Sequence, residues 1–141
     1  MKTIAQFALI PLLVLLLPVA SPASESGDSL VKIKSFAFGG IGVAGTTSQG
    51  EKLFHAVLVG DGALTEFRKI LAKGTPEAKL YALCGIRALD KASLADASAA
   101  LQKENPEVET IAGCMIMKQR AGPVIRSIID GRYDYCLQKK K

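Results

Sequence analysis

His55 is the only histidine in the chain, and no two of its three cysteines lie close together. A structural zinc site takes four such ligands at short spacings, so a zinc-built fold is not supported. Any Cys-His or Ser-His-acid machinery would have to run through His55 alone. Basic residues exceed acidic ones by only five, and they are not gathered on one face with interleaved aromatics, as nucleic-acid recognition requires. No apolar run reaches the roughly 18 residues of a membrane-spanning helix. The stretch without a polar side chain from Phe7 to Leu17 is short, and no basic cluster follows it to stop transfer.

That short run has another use. Lys2 precedes it and the small residues Val19-Ala20-Ser21-Pro22-Ala23-Ser24 follow it, which is the order of a secretory signal peptide. Ser21 and Ala23 supply the small side chains wanted before the cut, so cleavage is expected after Ala23. No cysteine stands there to take a lipid. The expected organisation is a signal peptide at 1–23, a flexible N-terminus at 24–30, a single helical domain at 31–135 and a basic tail at 136–141. The 118 residues left suffice for one core and not for two. Lys139, Lys140 and Lys141 hold most of the remaining positive excess, so the folded body is close to neutral and the tail reads as a solvated end. Export, to the periplasm or beyond the cell, makes a disulfide reasonable. Cys84 with Cys114 is the favoured pair, since both lie in apolar segments while Cys136 sits beside the charged tail. The alternative keeps all three as thiols, two of them buried as small apolar groups.

Along the chain, Val31-Lys32-Ile33-Lys34 and then Phe36 and Phe38 alternate as a short strand would. Ser48, with Glu51 three residues on, has the form of a capping box opening a helix to about Val59. Gly60 and Gly62 separate it from a second helix, Ala63 to Lys73, closed by Gly74. Thr75-Pro76-Glu77 supplies a cap, a first-turn proline and a first-turn acid for a third helix to Leu89. That helix is apolar almost all round and is expected at the centre. An alanine-rich helix follows from Ala92 to Lys103, and a last one runs from about Pro123 to Ile129. Between them, 106–121 is a helix by its ends and a buried strand by its interior. The reading leans to a strand, 108–117 against 31–38. The expected fold is therefore mainly α, a small single domain of packed helical hairpins with a short two-stranded β element.

Two successive helical hairpins over Ser48 to Lys103, and above all Thr75-Pro76-Glu77-Ala78-Lys79-Leu80-Tyr81-Ala82-Leu83 with Ile86, Leu89 and Asp90, resemble HEAT-type helical repeats. The resemblance implies a helical binding scaffold and no particular chemistry.

The candidate sites are few. Gly40-Ile41-Gly42-Val43-Ala44-Gly45 has the G-x-G-x-x-G spacing of a dinucleotide loop. A dinucleotide site needs its helix to open at those glycines, and here the cap comes later, at Ser48. Gly39, Gly40, Gly42 and Gly45 are expected to form a tight structural loop that can double as a binding loop, with no cofactor. Glu107 and Glu109 would flank a substrate from a strand, but first-turn acids of a helix explain them more simply. Tyr133 and Tyr135 either cover the core or form a contact patch. Neither metal ligands nor catalytic residues are assigned.

These features lead to the expectation of an exported, non-enzymatic protein that binds a protein or cell-envelope component, with no nucleic acid and no lasting membrane anchor. The alternatives are an inhibitor or immunity-type protein that blocks a secreted enzyme or toxin, and a small hydrolase working through His55.

Overall fold

Two helices begin at a serine or threonine whose side chain accepts one of their first amides. The computed structural model describes residues 22–138, so the expected signal peptide, apart from its last two residues, and the three terminal lysines lie outside the described residues. The order is α1 (Pro22–Leu30), β1 (Gly40–Ile41), β2 (Thr46–Thr47), α2 (Gln49–Val59), α3 (Ala63–Lys73), α4 (Pro76–Leu89), α5 (Leu94–Glu104), β3 (Glu107–Ala112), β4 (Met115–Arg120) and α6 (Ala121–Ile129), with single 3₁₀ turns at Lys91–Ser93 and Asp134–Cys136. The molecule is mainly helical, with two small antiparallel sheets, β1-β2 and β3-β4.

Ser48 caps α2 by accepting the Glu51 amide at 3.0 Å, and its hydroxyl donates to the Ala37 carbonyl at 2.9 Å. The Glu51 carboxylate turns towards the glycine loop, where Oε2 accepts the Gly39 amide at 2.9 Å. Thr75 caps α4 through the Ala78 amide at 3.1 Å and donates to the Ile33 carbonyl. Both caps thus fasten a helix start to the chain that precedes α2, which is more than a local cap requires.

α4 is the central element. Ala78, Leu80, Tyr81, Ala82, Leu83, Cys84, Gly85 and Ile86 are all buried, and the helix packs against α2, α3, α5, α6 and β3. Its closest approach is to α3: a Cβ on Gly85 would lie 2.3 Å from the Phe67 ring, so only glycine lets the two helices meet here. Phe36, Phe38, Phe54, Phe67 and Tyr81 form an aromatic centre beside it, with Phe36 and Tyr81 rings 4.8 Å apart. Tyr133 closes that centre, edge-on to Phe36 at 5.3 Å.

Several sequence expectations need correction. Residues 24–30 are not a flexible N-terminus but part of α1, which buries Leu30 and packs on α2 and α3. The segment Val31–Lys34 is not a strand. Its carbonyls are used singly, Val31 by the Thr75 amide and Ile33 by the Thr75 hydroxyl. The β pairing between the two expected regions is real but confined to one residue, a parallel bridge of Phe36 with Thr110.

Asn105 does not open a helix. It takes a left-handed conformation (φ 42°) and closes α5, while its side chain accepts the Gly122 amide at 2.8 Å. The chain beyond it becomes a hairpin, because Val108 and Thr110 alternate inward and Phe36 supplies a neighbouring backbone. Gly122 and Pro123 sit in the first turn of α6, which starts two residues before the expected Pro123. The tail also starts later than expected, since Cys136 and Leu137 are buried.

Candidate functional site

The glycine motif is a β-hairpin. Gly40 pairs with Thr47 and Ile41 with Thr46, and the turn between them needs Gly42 (φ 68°) and Gly45 (φ 62°) in the left-handed region that glycine alone enters without strain. No helix opens at these glycines, so no helix N-terminus faces them as a pyrophosphate would require. α2 begins only at Gln49, after the second strand.

Hydrogen bonds hold the loop at both ends. The Gly39 amide is bound by Glu51 at its base, the Thr46 hydroxyl donates to the Ile41 carbonyl, and at the far end the Gly42 amide donates to the Gly113 carbonyl at 2.9 Å. Gly113 lies in the turn between β3 and β4, so the tips of the two hairpins are stitched together, with Ile41 and Gly113 forming a bridge. Four of the candidate glycines, Gly39, Gly40, Gly42 and Gly45, therefore belong to one clamped loop. Its tip carries Val43, which is 100% exposed. Tyr135 is 69% exposed, and its hydroxyl lies 3.9 Å from where a Gly39 Cβ would stand. Tyr133 covers the core while Tyr135 faces solvent. The Tyr135 hydroxyl is pushed up by its hydrogen bond with Cys136 and then by burial.

On the adjoining hairpin, Met115 and Ile116 are 62% and 66% exposed, with Met117 beside them. The sequence suggests that this run is buried, and it is not. Periodicity cannot separate an inward apolar strand from one that overhangs the core.

The same overhang corrects the disulfide expectation. Cys84 is fully buried in α4, whereas Cys114 is exposed in the β3–β4 turn, and both are free thiols. The apolar segment around Cys114 points outward. Burial first, and then the charge of Cys136, raises the Cys84 thiol well above its ordinary value.

Glu107 and Glu109 lie on a strand and not in a helical first turn. They stand directly opposite Arg120 and Lys118, respectively. The Glu109 amide is bound by the Glu77 carboxylate at 2.9 Å, which ties α4 to β3. Their surroundings answer their charge, which accounts for the pair without a substrate.

His55 lies on α2 with Nε2 3.8 Å from Glu51 Oε1, beside an open, mostly apolar groove lined by Thr47, Lys52, Ala56 and Val59. Glu51 itself is buried. The neighbouring Ser48 hydroxyl is engaged on both sides, accepting the Glu51 amide and donating to Ala37, so it does not stand ready as a nucleophile. Among the described residues, no three His, Cys, Asp or Glu side chains gather to hold a metal ion, and no helix is long and apolar enough to cross a membrane.

No protein-family model, curated protein or solved structure matches this chain.

Proposed function

We propose that the chain is an exported, non-enzymatic binding protein, a scaffold of HEAT-like helical hairpins that carries its glycine loop to a protein or cell-envelope component in the periplasm or outside the cell. One observation carries the reading: Val43 stands fully exposed at the tip of a loop held at base and tip by hydrogen bonds to Glu51 and Gly113. An apolar side chain on a rigid support loses little entropy when buried by a partner, which is the economy of an interface anchor. Tyr135 at the base of the loop adds an aromatic contact with a polar end.

The test is capture from an extracellular fraction by the wild-type chain and by Val43→Asp. The reading expects one partner on the wild type and at least about tenfold weaker binding by the variant, with the unfolding midpoint unchanged because Val43 touches nothing in the core. Equal capture by both chains sinks it. Mass spectrometry of the exported chain is expected to find Ser24 at its N-terminus, and a product starting at Met1 counts against export. The inhibitor reading is favoured by the same rigidity, since a preformed protruding loop suits an enzyme cleft. It requires the captured partner to be an enzyme that loses its activity at one-to-one stoichiometry.

A further inference from the structure

The β3–β4 sheet has one edge covered and one open. Phe36 donates to the Glu109 carbonyl and receives the Ile111 amide on its own carbonyl, so the odd-numbered backbone groups of β3 face Phe36. The groups of Val108, Thr110 and Ala112 then face β4. In the observed register Thr110 pairs with Met117 and Ala112 with Met115, so Met115 and Met117 spend their amides and carbonyls inside the hairpin. Those of Ile116 and Lys118 point away from it, and among the described residues no strand covers that edge. Met115, Ile116 and Met117 are all exposed there, and 114–117 contains neither a charge nor a proline. Such an edge lacks the devices that keep strands apart and is a template for another strand.

The charges along β4 narrow the choice of strand. Lys118 and Arg120 already have Glu109 and Glu107 opposite them in their own hairpin, which leaves the apolar run as the unmatched part. We propose that β4 pairs with β4 of a second copy of this chain, antiparallel about a two-fold axis at Ile116. That register sets Ile116 against the partner's Ile116 and Met115 against the partner's Met117, and brings the outward backbone groups of Ile116 together as a hydrogen-bonded pair. Sliding it to centre on Lys118 opposes two ammonium groups, and sliding it to Cys114 sets Ile116 against alanine. Only the Ile116 register sets the whole 115–117 run against itself, and it opposes no like charges. Cys114 is then four positions from the partner's Cys114, about 13 Å along the strand, beyond the reach of a disulfide. The proposal uses the β4 edge and does not depend on the Val43 loop.

Sedimentation velocity of the purified chain, over about 5 to 500 µM as befits a small interface, is expected to show a dimer. Ile116→Lys opposes two lysines on the axis and should raise the dimer dissociation constant at least about tenfold, with an unchanged unfolding midpoint at concentrations low enough that both chains are monomers. In a Cys114→Ser background, Ile116→Cys should give a covalent dimer on mild oxidation with copper phenanthroline, whereas the wild-type chain should not cross-link. A wild type that stays monomeric throughout overturns the proposal, including one whose β4 amides become protected only when a different protein is added. So does an Ile116→Lys variant that still dimerises, or ready cross-linking through Cys114. Val43→Asp should leave the dimer intact, so failure of the loop reading and failure of this one are distinguishable.

Discussion

Tyr81 shows how one side chain can organise a loop. Its hydroxyl accepts the Ala37 amide at 2.9 Å and donates to the Ala37 carbonyl at 2.8 Å, fixing the extended backbone between Phe36 and Phe38 to the centre of α4. Tyr81→Phe leaves the Ala37 amide buried without its acceptor and is expected to cost about 1–3 kcal/mol, read as a lower midpoint in urea. Burial, the largest cause, pushes both Tyr81 and Tyr133 up to about 12. A folded pKa above the unfolded value means that stability is full below about pH 10 and is lost as pH rises towards 12. Phenolate absorbance should therefore rise late, and chemical denaturation at pH 11 should give a lower midpoint than at pH 9. The thiols offer a matching check: Cys114 is expected to react with an aromatic disulfide reagent in the native state at least about a hundredfold faster than Cys84, whose burial disfavours the thiolate. Comparable rates for the two would contradict their placement.

At the scale of elements, caps and helix ends were legible in advance because they depend on residues a few positions apart. Ser48, Thr75 and Pro76 sit at helix starts as their types require, and Gly74 closes α3, though in an extended and not a left-handed conformation. Thr75→Ala is expected to cost about 1–2 kcal/mol from the cap alone. It should cost no less than Ser93→Ala, because Thr75 also holds the Ile33 carbonyl while Ser93 accepts no cap hydrogen bond. The segment 105–121 resisted such reading. Asn105, Pro106 and Glu107 are as suitable for starting a helix as for ending one, and the outcome turned on Phe36, some seventy residues earlier in the chain, offering a backbone to Glu109 and Ile111. The outward turn of Met115 to Met117 has the same origin: β4 is the outer strand, and among the described residues no element lies beyond it to bury these side chains.

For the molecule as a whole, the C-terminal turn is part of the core. Tyr133 packs on Phe36 and Phe38, Cys136 and Leu137 are buried, and Arg87 grips Asp134 with a two-point contact while donating to the Ile129 carbonyl. That contact is the first cause of the lowered Asp134 pKa. Its contribution is therefore present above the usual carboxylate range and is lost as pH falls through the depressed value. Truncation after Gly131 removes all of these groups and is expected to lower the thermal midpoint by at least about 10 °C, on the scale of two to three buried side chains in a domain of this size. A truncated chain melting within a few degrees of the full one would show that the turn is peripheral.

From the sequence alone came the starts and stops of α2, α3 and α4, the central place of α4, the mainly helical class and the tightness of the glycine loop, all of which follow from local sterics and hydrogen-bonding capacity. Tertiary structure decided where the glycine loop is clamped, which of two tyrosines faces water, which cysteines are buried, and whether an apolar run at 115–117 points in or out. Those outcomes depend on what stands opposite a residue in space. Periodicity reports that a segment has an apolar side, and only the packed chain determines whether anything is there to cover it.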